Sequence, residues 1–440
     1  LSGLDSIREA ARKDKNLRFN NLMHHITPEL LEEAYGTLKR EASPGVDGVT
    51  WQQYGKSLKE NLTDLHERVQ SGRYRATPSK RTWIPKSDGN KRPIGIPALE
   101  DKIVQQSVAW VLNQIYEEDF VGFSYGFRPG RSPHNALDAI WVGIIQRKVN
   151  WILDADIQSF FDTVDHEWLM KFMEHRVADQ RILRLIRKWL RAGVSEEGEW
   201  SETTAGTPQG AVISPLLANI YLHYVLDLWV IQWRKQADGD EIIVRYADDF
   251  VMGFQHRDEA ERFLGALRER LAKFGLKLHP DKTRLIEFGR FAAENRAARG
   301  EGKPETFDFL GFTHICAKTR KGNRFTVRRK TMVKRLRNKI KAVRVELRKR
   351  RHEPVPVQGK WVRSVVQGHF NYFAVPNNRQ SIDVLRTEVI KGWFKALRSR
   401  SQKARRLTWG RFQRLIETWV PKARILHPYP SERLCVTYPR

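Results

Sequence analysis

Two adjacent carboxylates, Asp248 and Asp249, close the tetrapeptide Tyr246-Ala247-Asp248-Asp249, and an earlier apolar run, Trp151-Ile152-Leu153, delivers two more at Asp154 and Asp156. Carboxylates brought together from neighbouring strands can hold two divalent ions about 4 Å apart, which make a 3′-hydroxyl nucleophilic and neutralise a departing pyrophosphate. Two Mg2+ ions suit such an all-oxygen site, with Mn2+ as a substitute. The chemistry suggested is nucleotidyl transfer. Alternation along a strand puts Asp154 and Asp156 on one face, so spacing leaves both open as the third ligand.

Positioning these groups requires a strand ending near Asp156 and a hairpin turning at Asp248. Residues from Trp151 to Phe161 read as a strand and turn, followed by a helix from near His166 that carries Trp168, Leu169, Phe172 and Met173. The stretch from Ile242 to Met252 reads as a hairpin with Tyr246 to Asp249 at its tip. Upstream, Thr27-Pro28 opens a helix with Leu30, Leu31, Ala34 and Leu38 on one face, broken by Ser43-Pro44-Gly45-Val46-Asp47-Gly48. Arg81 to Pro97 alternates as a basic hairpin turning at Ser87-Asp88-Gly89-Asn90, suited to lie over a phosphate chain. The Gly-, Glu-, Arg- and Ala-rich segment from Gly289 to Thr306 reads as an exposed loop. Farther on, Met332, Leu336, Ile340, Val343 and Leu347 recur at spacings of four, four, three and four among Lys334, Arg337, Lys341 and Arg344. This is a basic amphipathic helix, with Glu346 as its one nearby acid.

The charge balance names the kind of partner. Against 51 acidic residues the chain carries 78 Lys and Arg, a net charge of +27 and a pI near 10.2, which favours a nucleic acid through phosphate contacts and counterion release. A chain of 440 residues is too long for a single small binding module, and its regular apolar periodicity excludes wholesale disorder. Two cysteines, Cys316 and Cys435, cannot build a disulfide framework or a four-cysteine zinc site, which fits a reducing, cytoplasmic and nucleoid-associated setting. The apolar stretch from Ala211 to Trp233 is interrupted by Pro215, Asn219, His223 and Asp227, and reads as a buried helix rather than a membrane span. His166, His279 and His314 lack ligand-spaced partners, while Trp361, Tyr372, Phe373 and Trp409 read as core.

The tetrapeptide alone is a weak signal, but its context is specific. In chain order the sequence carries Ile84-Pro85-Lys86, Arg92-Pro93-Ile94-Gly95-Ile96-Pro97, Gly126-Phe127-Arg128-Pro129-Gly130-Arg131-Ser132 and Asp156-Ile157-Gln158-Ser159-Phe160-Phe161-Asp162. Then follow Thr207-Pro208-Gln209-Gly210, Tyr246 to Asp249, Gly275-Leu276-Lys277-Leu278 with Lys282-Thr283, and Phe309-Leu310-Gly311-Phe312. These resemble the successive blocks of reverse transcriptases. With Asn21 to Thr50, Gly368-His369-Phe370-Asn371-Tyr372-Phe373 and His427-Pro428-Tyr429-Pro430, the wording resembles the reverse transcriptase/maturases encoded by bacterial group II introns.

That resemblance implies an α+β right-hand polymerase, with fingers, a palm built on an antiparallel sheet, and a helical thumb. It implies fingers and palm with an N-terminal extension over 1–316, a thumb or maturase (X) region over 317–402, and a basic piece over 403–440 in the place of a truncated DNA-binding region. No paired Cys-x-x-Cys elements follow, so the His-Asn-His endonuclease of some relatives is not expected. Carried over residue by residue, it makes Asp156, Asp248 and Asp249 the metal ligands and Phe161 the gate against a ribose 2′-hydroxyl. Asp154 and Asp162 become structural. Lys86 and Arg92 grip the incoming triphosphate, Gln209 and Gly210 line the nucleotide pocket, Tyr246 supports the primer end, and Lys282 is the general acid. Arg128 and Arg131, with Lys334, Arg337, Lys341 and Arg344, contact nucleic acid. The expected partners are the intron RNA, an RNA template with its DNA primer, target DNA and dNTPs. Two rival readings share much of this: a host-domesticated reverse transcriptase in repair or defence, and a splicing factor that binds RNA without polymerising.

Overall fold

The central sheet has four antiparallel strands in the order Glu241–Tyr246, Asp249–Phe254, Trp151–Ala155 and Arg284–Glu287. Alternation along these strands sorts side chains between two cores. Leu153, Ala155, Ile243, Phe250 and Met252 enter one, whereas Ile152, Val244, Val251 and Ile286 enter the other. Burial on both faces explains why these strands read as near-continuous apolar runs. The register sets Tyr246 opposite Asp249 and Asp154 opposite Val251, so the hairpin tip lies beside the strand end that carries Asp154 and Asp156. The computed structural model describes residues 3–85, 91–196, 199–201, 205–207, 210–319 and 322–437.

Helices cover both faces. Arg257–Lys273 inserts Phe263, Leu267 and Leu271 into the first core, and Pro133–Gln146 approaches from the other side, where Gly143 lies against Ile242. The apolar stretch after residue 211 forms Ser214–Leu222, a π turn at His223–Asp227 and Leu228–Arg234. By length and composition this run could cross a membrane, yet 72% of its apolar 18-residue window is buried inside the protein. Helix Pro28–Thr37 starts as its sequence dictates, with Thr27 capping the backbone of Leu30 and proline in the first turn.

The basic hairpin pairs Ser79–Pro85 with Lys91–Ile96, and Val194–Glu196 and Glu199–Ser201 extend it to four strands. Its tip lies outside the described residues. One expectation needs correction. The segment from Gly289 to Thr306 is not all loop: Ala292–Ala298 is helical, because its alanines favour helix and Asn295 and Arg299 anchor it on Glu287. Packing is continuous across residues 316–317 and 402–403. Strand Phe312–Lys318 runs across 316/317, and Phe412, Ile416, Val420 and Ala423 share a core with Trp393 of helix Arg379–Arg398. The C-terminal helix Pro430–Thr437 then returns to the palm, where Arg433 joins Arg329 on the fully buried Asp138. The C-terminal segment thus packs against both the helices before it and the palm.

Candidate active site

The hairpin that carries Asp248 and Asp249 turns at Ala247, which holds φ 58°, a left-handed conformation uncommon for alanine. Three contacts impose it. Gly126 lies so close beneath that a Cβ there would meet the Ala247 nitrogen at 2.2 Å. Asn219 donates from Nδ2 to the Gly126 carbonyl at 2.7 Å. Arg245, wholly buried, donates to Asp227, to Asn219 Oδ1 at 3.0 Å and to the Ala247 carbonyl at 3.0 Å.

Asp156 is fixed from the other side. Its carbonyl accepts from the His279 backbone at 2.7 Å, Gln158 donates its backbone N–H to Lys277 at 2.8 Å, and Ile157 bridges Leu278. The Gly275 to Leu278 segment therefore positions a carboxylate more than a hundred residues earlier. Lys282 sets its Nζ 2.8 Å from Asp156 Oδ2. Asp154, Asp156, Asp249, Lys282, Arg284 and Asp308 together line a cleft of ≈ 340 Å³, closed on one side by Phe309 and Leu310.

Negative charge is crowded here. The Asp249 carboxyl is pushed up to about 7 by desolvation and then by Asp248, Asp156 and Asp154, against the pull of Lys282, although the residue keeps an exposed edge. Asp248 shifts the same way, first through desolvation and then through Asp156, with Arg92 and Arg245 opposing. Asp154 rises to about 6 through burial, offset by Arg284 at 3.4 Å. Carboxylates so crowded call for cations, and an all-oxygen set suits hard divalent ions. Among the described residues no three His, Cys, Asp or Glu side chains stand already gathered as a metal cage. The donor chemistry fits divalent ions, with Lys282 as the cation now on Asp156.

On the fingers side, Phe161 is half-buried, its ring edge-on to Phe160 at 5.4 Å and its carbonyl accepting from Thr207 at 2.7 Å. Gly210, at φ 112°, sits where a Cβ would strike the Gly95 carbonyl at 2.4 Å, so strand Lys91–Ile96 lies directly against it. Arg92, on that strand, is close enough to act on Asp248. Lys86 and Gln209 lie outside the described residues. Tyr246 is half-buried beside the exposed Phe127, ring centroids 6.3 Å apart.

The basic residues divide. Arg128 does not face nucleic acid: its side chain is 3% exposed, paired with Glu117 at 3.0 Å and donating to the carbonyls of Val121 and Ser124. It is a buried buttress. Arg131 also bonds inward, to Gly122 and Ser124, while keeping partial exposure. Lys334, Arg337, Lys341 and Arg344 are exposed along helix Val333–Lys349, and Arg344 pairs with Glu388, an acid that reading the helix alone overlooks. Arg344 also borders a groove of ≈ 400 Å³ with Arg348, Arg351, Lys391 and Lys395, the last three of them cations that the sequence reading did not single out. Their signal was the spacing of Lys391 and Lys395 on an adjacent helix.

The residue most plainly missed is Arg245. Its signal was a lone cation in an apolar strand, with Asp227 a lone anion in an apolar helix. Arg245→Met should cost about 3–5 kcal/mol in chemical denaturation, because it strands the Asp227 charge in the core. Adding Asp227→Leu should restore most of that stability, while primer extension stays depressed because the Ala247 carbonyl has lost its donor. A double variant that regained both would make the network structural only.

The reverse transcriptase (RNA-dependent DNA polymerase) family matches residues 84–314, which contain every carboxylate of the cleft. The chain is similar to protein YkfC of Escherichia coli, 37% identical over 315 residues, covering 62% of this chain and 81% of YkfC. It is also similar to the group II intron-encoded protein LtrA of Lactococcus lactis, 33% identical over 242 residues, 54% of this chain and 39% of LtrA. A third relative, nuclear intron maturase 4 of Arabidopsis thaliana, is 25% identical over 233 residues, 51% of this chain and 27% of the maturase. The match spans well under half of these last two proteins. A carboxylate-lined cleft at the edge of an antiparallel palm, divalent-ion chemistry and RNA and DNA as partners all belong to one family: the chain is a reverse transcriptase, an RNA-directed DNA polymerase.

Proposed function

We propose that this enzyme is encoded by a group II intron and performs two tasks: it copies the intron RNA into DNA at a DNA target, and it binds that RNA to assist splicing. The observation that supports the polymerase half is that Asp156 and Asp249 line one cleft while Asp248, next to Asp249 at the hairpin tip, lies within electrostatic reach of Asp156 and Arg92. Two Mg2+ ions, replaceable by Mn2+, would be held by those three aspartates and would supply the activation of the 3′-hydroxyl and the neutralisation of pyrophosphate. Lys86 and Arg92 grip the triphosphate of the dNTP, and Gln209 and Gly210 line its pocket. Phe161 excludes the ribose 2′-hydroxyl, and Tyr246 supports the primer end. Lys282 leaves Asp156 to protonate the departing pyrophosphate.

The maturase half is supported by the similarity to a group II intron-encoded protein and to a plant intron maturase, and by the exposed cations of helix Val333–Lys349. Group II splicing is catalysed by RNA, so the protein need only stabilise the folded intron, and phosphate contacts with shape recognition suffice for that. An intracellular, nucleoid-associated location follows from this reading. The test is splicing of the intron RNA flanking the gene at limiting magnesium, with and without protein. The parent should accelerate it. Replacing Lys334, Arg337, Lys341 and Arg344 by Ala should remove most of the acceleration and lower the salt-dependence slope of RNA binding by up to about 4. Splicing indifferent to the parent protein would overturn the maturase reading and leave the polymerase untouched.

A further inference from the structure

Phe127 is held in an unusual way. It is 52% exposed and adopts φ 57°, a conformation bulky residues rarely take, yet the residues around it are tightly fixed. Gly126 is wedged under the catalytic turn, Tyr125 donates its backbone N–H to Arg245 at 2.8 Å, and Arg245 donates back to Phe123 at 2.9 Å. Arg128, the next residue, is locked on Glu117 and two carbonyls. A loop over-determined on both sides thus presents one aromatic ring to solvent beside Tyr246.

Its position selects a substrate. Tyr246, Leu310 and Tyr372 pack on the core that the palm shares with the thumb, and Tyr372 donates its hydroxyl to the Leu310 carbonyl at 2.8 Å. Phe161 packs on the opposite core, and Gly210 on the fingers strand. Tyr246 therefore lies toward the core shared with the thumb, with Phe127 beside it and away from Phe161 and Gly210, and a duplex gripped by the thumb would pass here. An exposed ring suits nucleobases of any sequence, because every base has a π face.

We propose that Phe127 contacts the 3′-terminal nucleotide of the primer, packing its ring against that base and holding the 3′-hydroxyl in line with the carboxylate cluster. The strained loop and its buried arginines exist to present this ring. The inference rests on Asp248 and Asp249 being the catalytic pair, which is tested separately: Asp248→Asn silences extension of every primer, whereas loss of Phe127 acts only where a terminal base is present.

The experiment is single-turnover addition of one dNTP by the full chain at saturating primer–template, using primers that end in an ordinary nucleotide or in an abasic one. Phe127→Ala should slow addition about 10-fold on ordinary primers, within the range that base–aromatic stacking supplies. Phe127→Trp should stay within about threefold of the parent, and Phe127→Leu, which keeps bulk without a π face, should resemble Phe127→Ala. On the abasic primer the ratio of parent to Phe127→Ala should fall to about 1, because the partner of the ring is gone. Parent-like rates for both Phe127→Ala and Phe127→Leu would overturn the proposal. A loss that persists undiminished on the abasic primer would also overturn it, and would assign Phe127 to the structure of the loop.

Discussion

Asp248→Asn is expected to lower primer extension on an RNA template by about 1,000-fold or more, with template affinity within about twofold of the parent. The amide keeps the shape of the side chain and removes one charge from beside the cleft, where Asp248, Asp156 and Asp154 add to desolvation in raising the Asp249 carboxyl. Relieving that repulsion should leave the metal-free protein at least as stable as the parent, so lost activity cannot be ascribed to unfolding. Parental extension by the variant would remove Asp248 from the site. Asp156→Asn should behave alike, with the added effect of freeing Lys282 from its 2.8 Å partner.

The second large effect concerns sugar selection. Phe161→Val is expected to raise ribonucleotide incorporation relative to dNTP by about 10- to 200-fold, the range over which a small steric difference in a pocket discriminates. The ring can act as a gate because it is held: Phe160 packs edge-on against it and Thr207 binds its carbonyl. A ring free to swing would yield to the 2′-hydroxyl and select little. Unchanged discrimination in competition between rATP and dATP would show that the Asp156 to Asp162 block is aligned wrongly.

What could be read from the sequence was what short-range physics encodes. The hairpin around Asp248 and Asp249 was legible because two apolar strands flank a turn. Helix Val333–Lys349 was legible because its apolar residues repeat at 3.6-residue spacing. The family resemblance added the order of the blocks and, with it, the choice of Asp156 over Asp154. Spacing alone left that choice open, and the cleft indeed contains both.

What was illegible depended on distant partners. An arginine in a motif looks the same whether it meets a phosphate or a buried glutamate, so Arg128 was read as a nucleic-acid contact although Glu117 and two carbonyls consume it. The contact of the C-terminal segment with the palm was invisible because Asp138 lies 295 residues from Arg433. Arg245 and Asp227 are each unremarkable until the fold puts them together in the core. These are tertiary pairings, and no local pattern carries them.

The central claim is that one chain carries two separable activities, a carboxylate-dependent polymerase in the palm and a carboxylate-independent RNA-binding surface in the thumb. The most direct test measures both in one preparation of the Asp248→Asn, Asp249→Asn double variant: splicing of the flanking intron RNA at limiting magnesium, and cDNA synthesis on the same RNA with an annealed primer. Splicing at nearly the parental rate with no detectable cDNA is the predicted result. Splicing that disappears together with the aspartates, while surviving loss of Lys334, Arg337, Lys341 and Arg344, would contradict it.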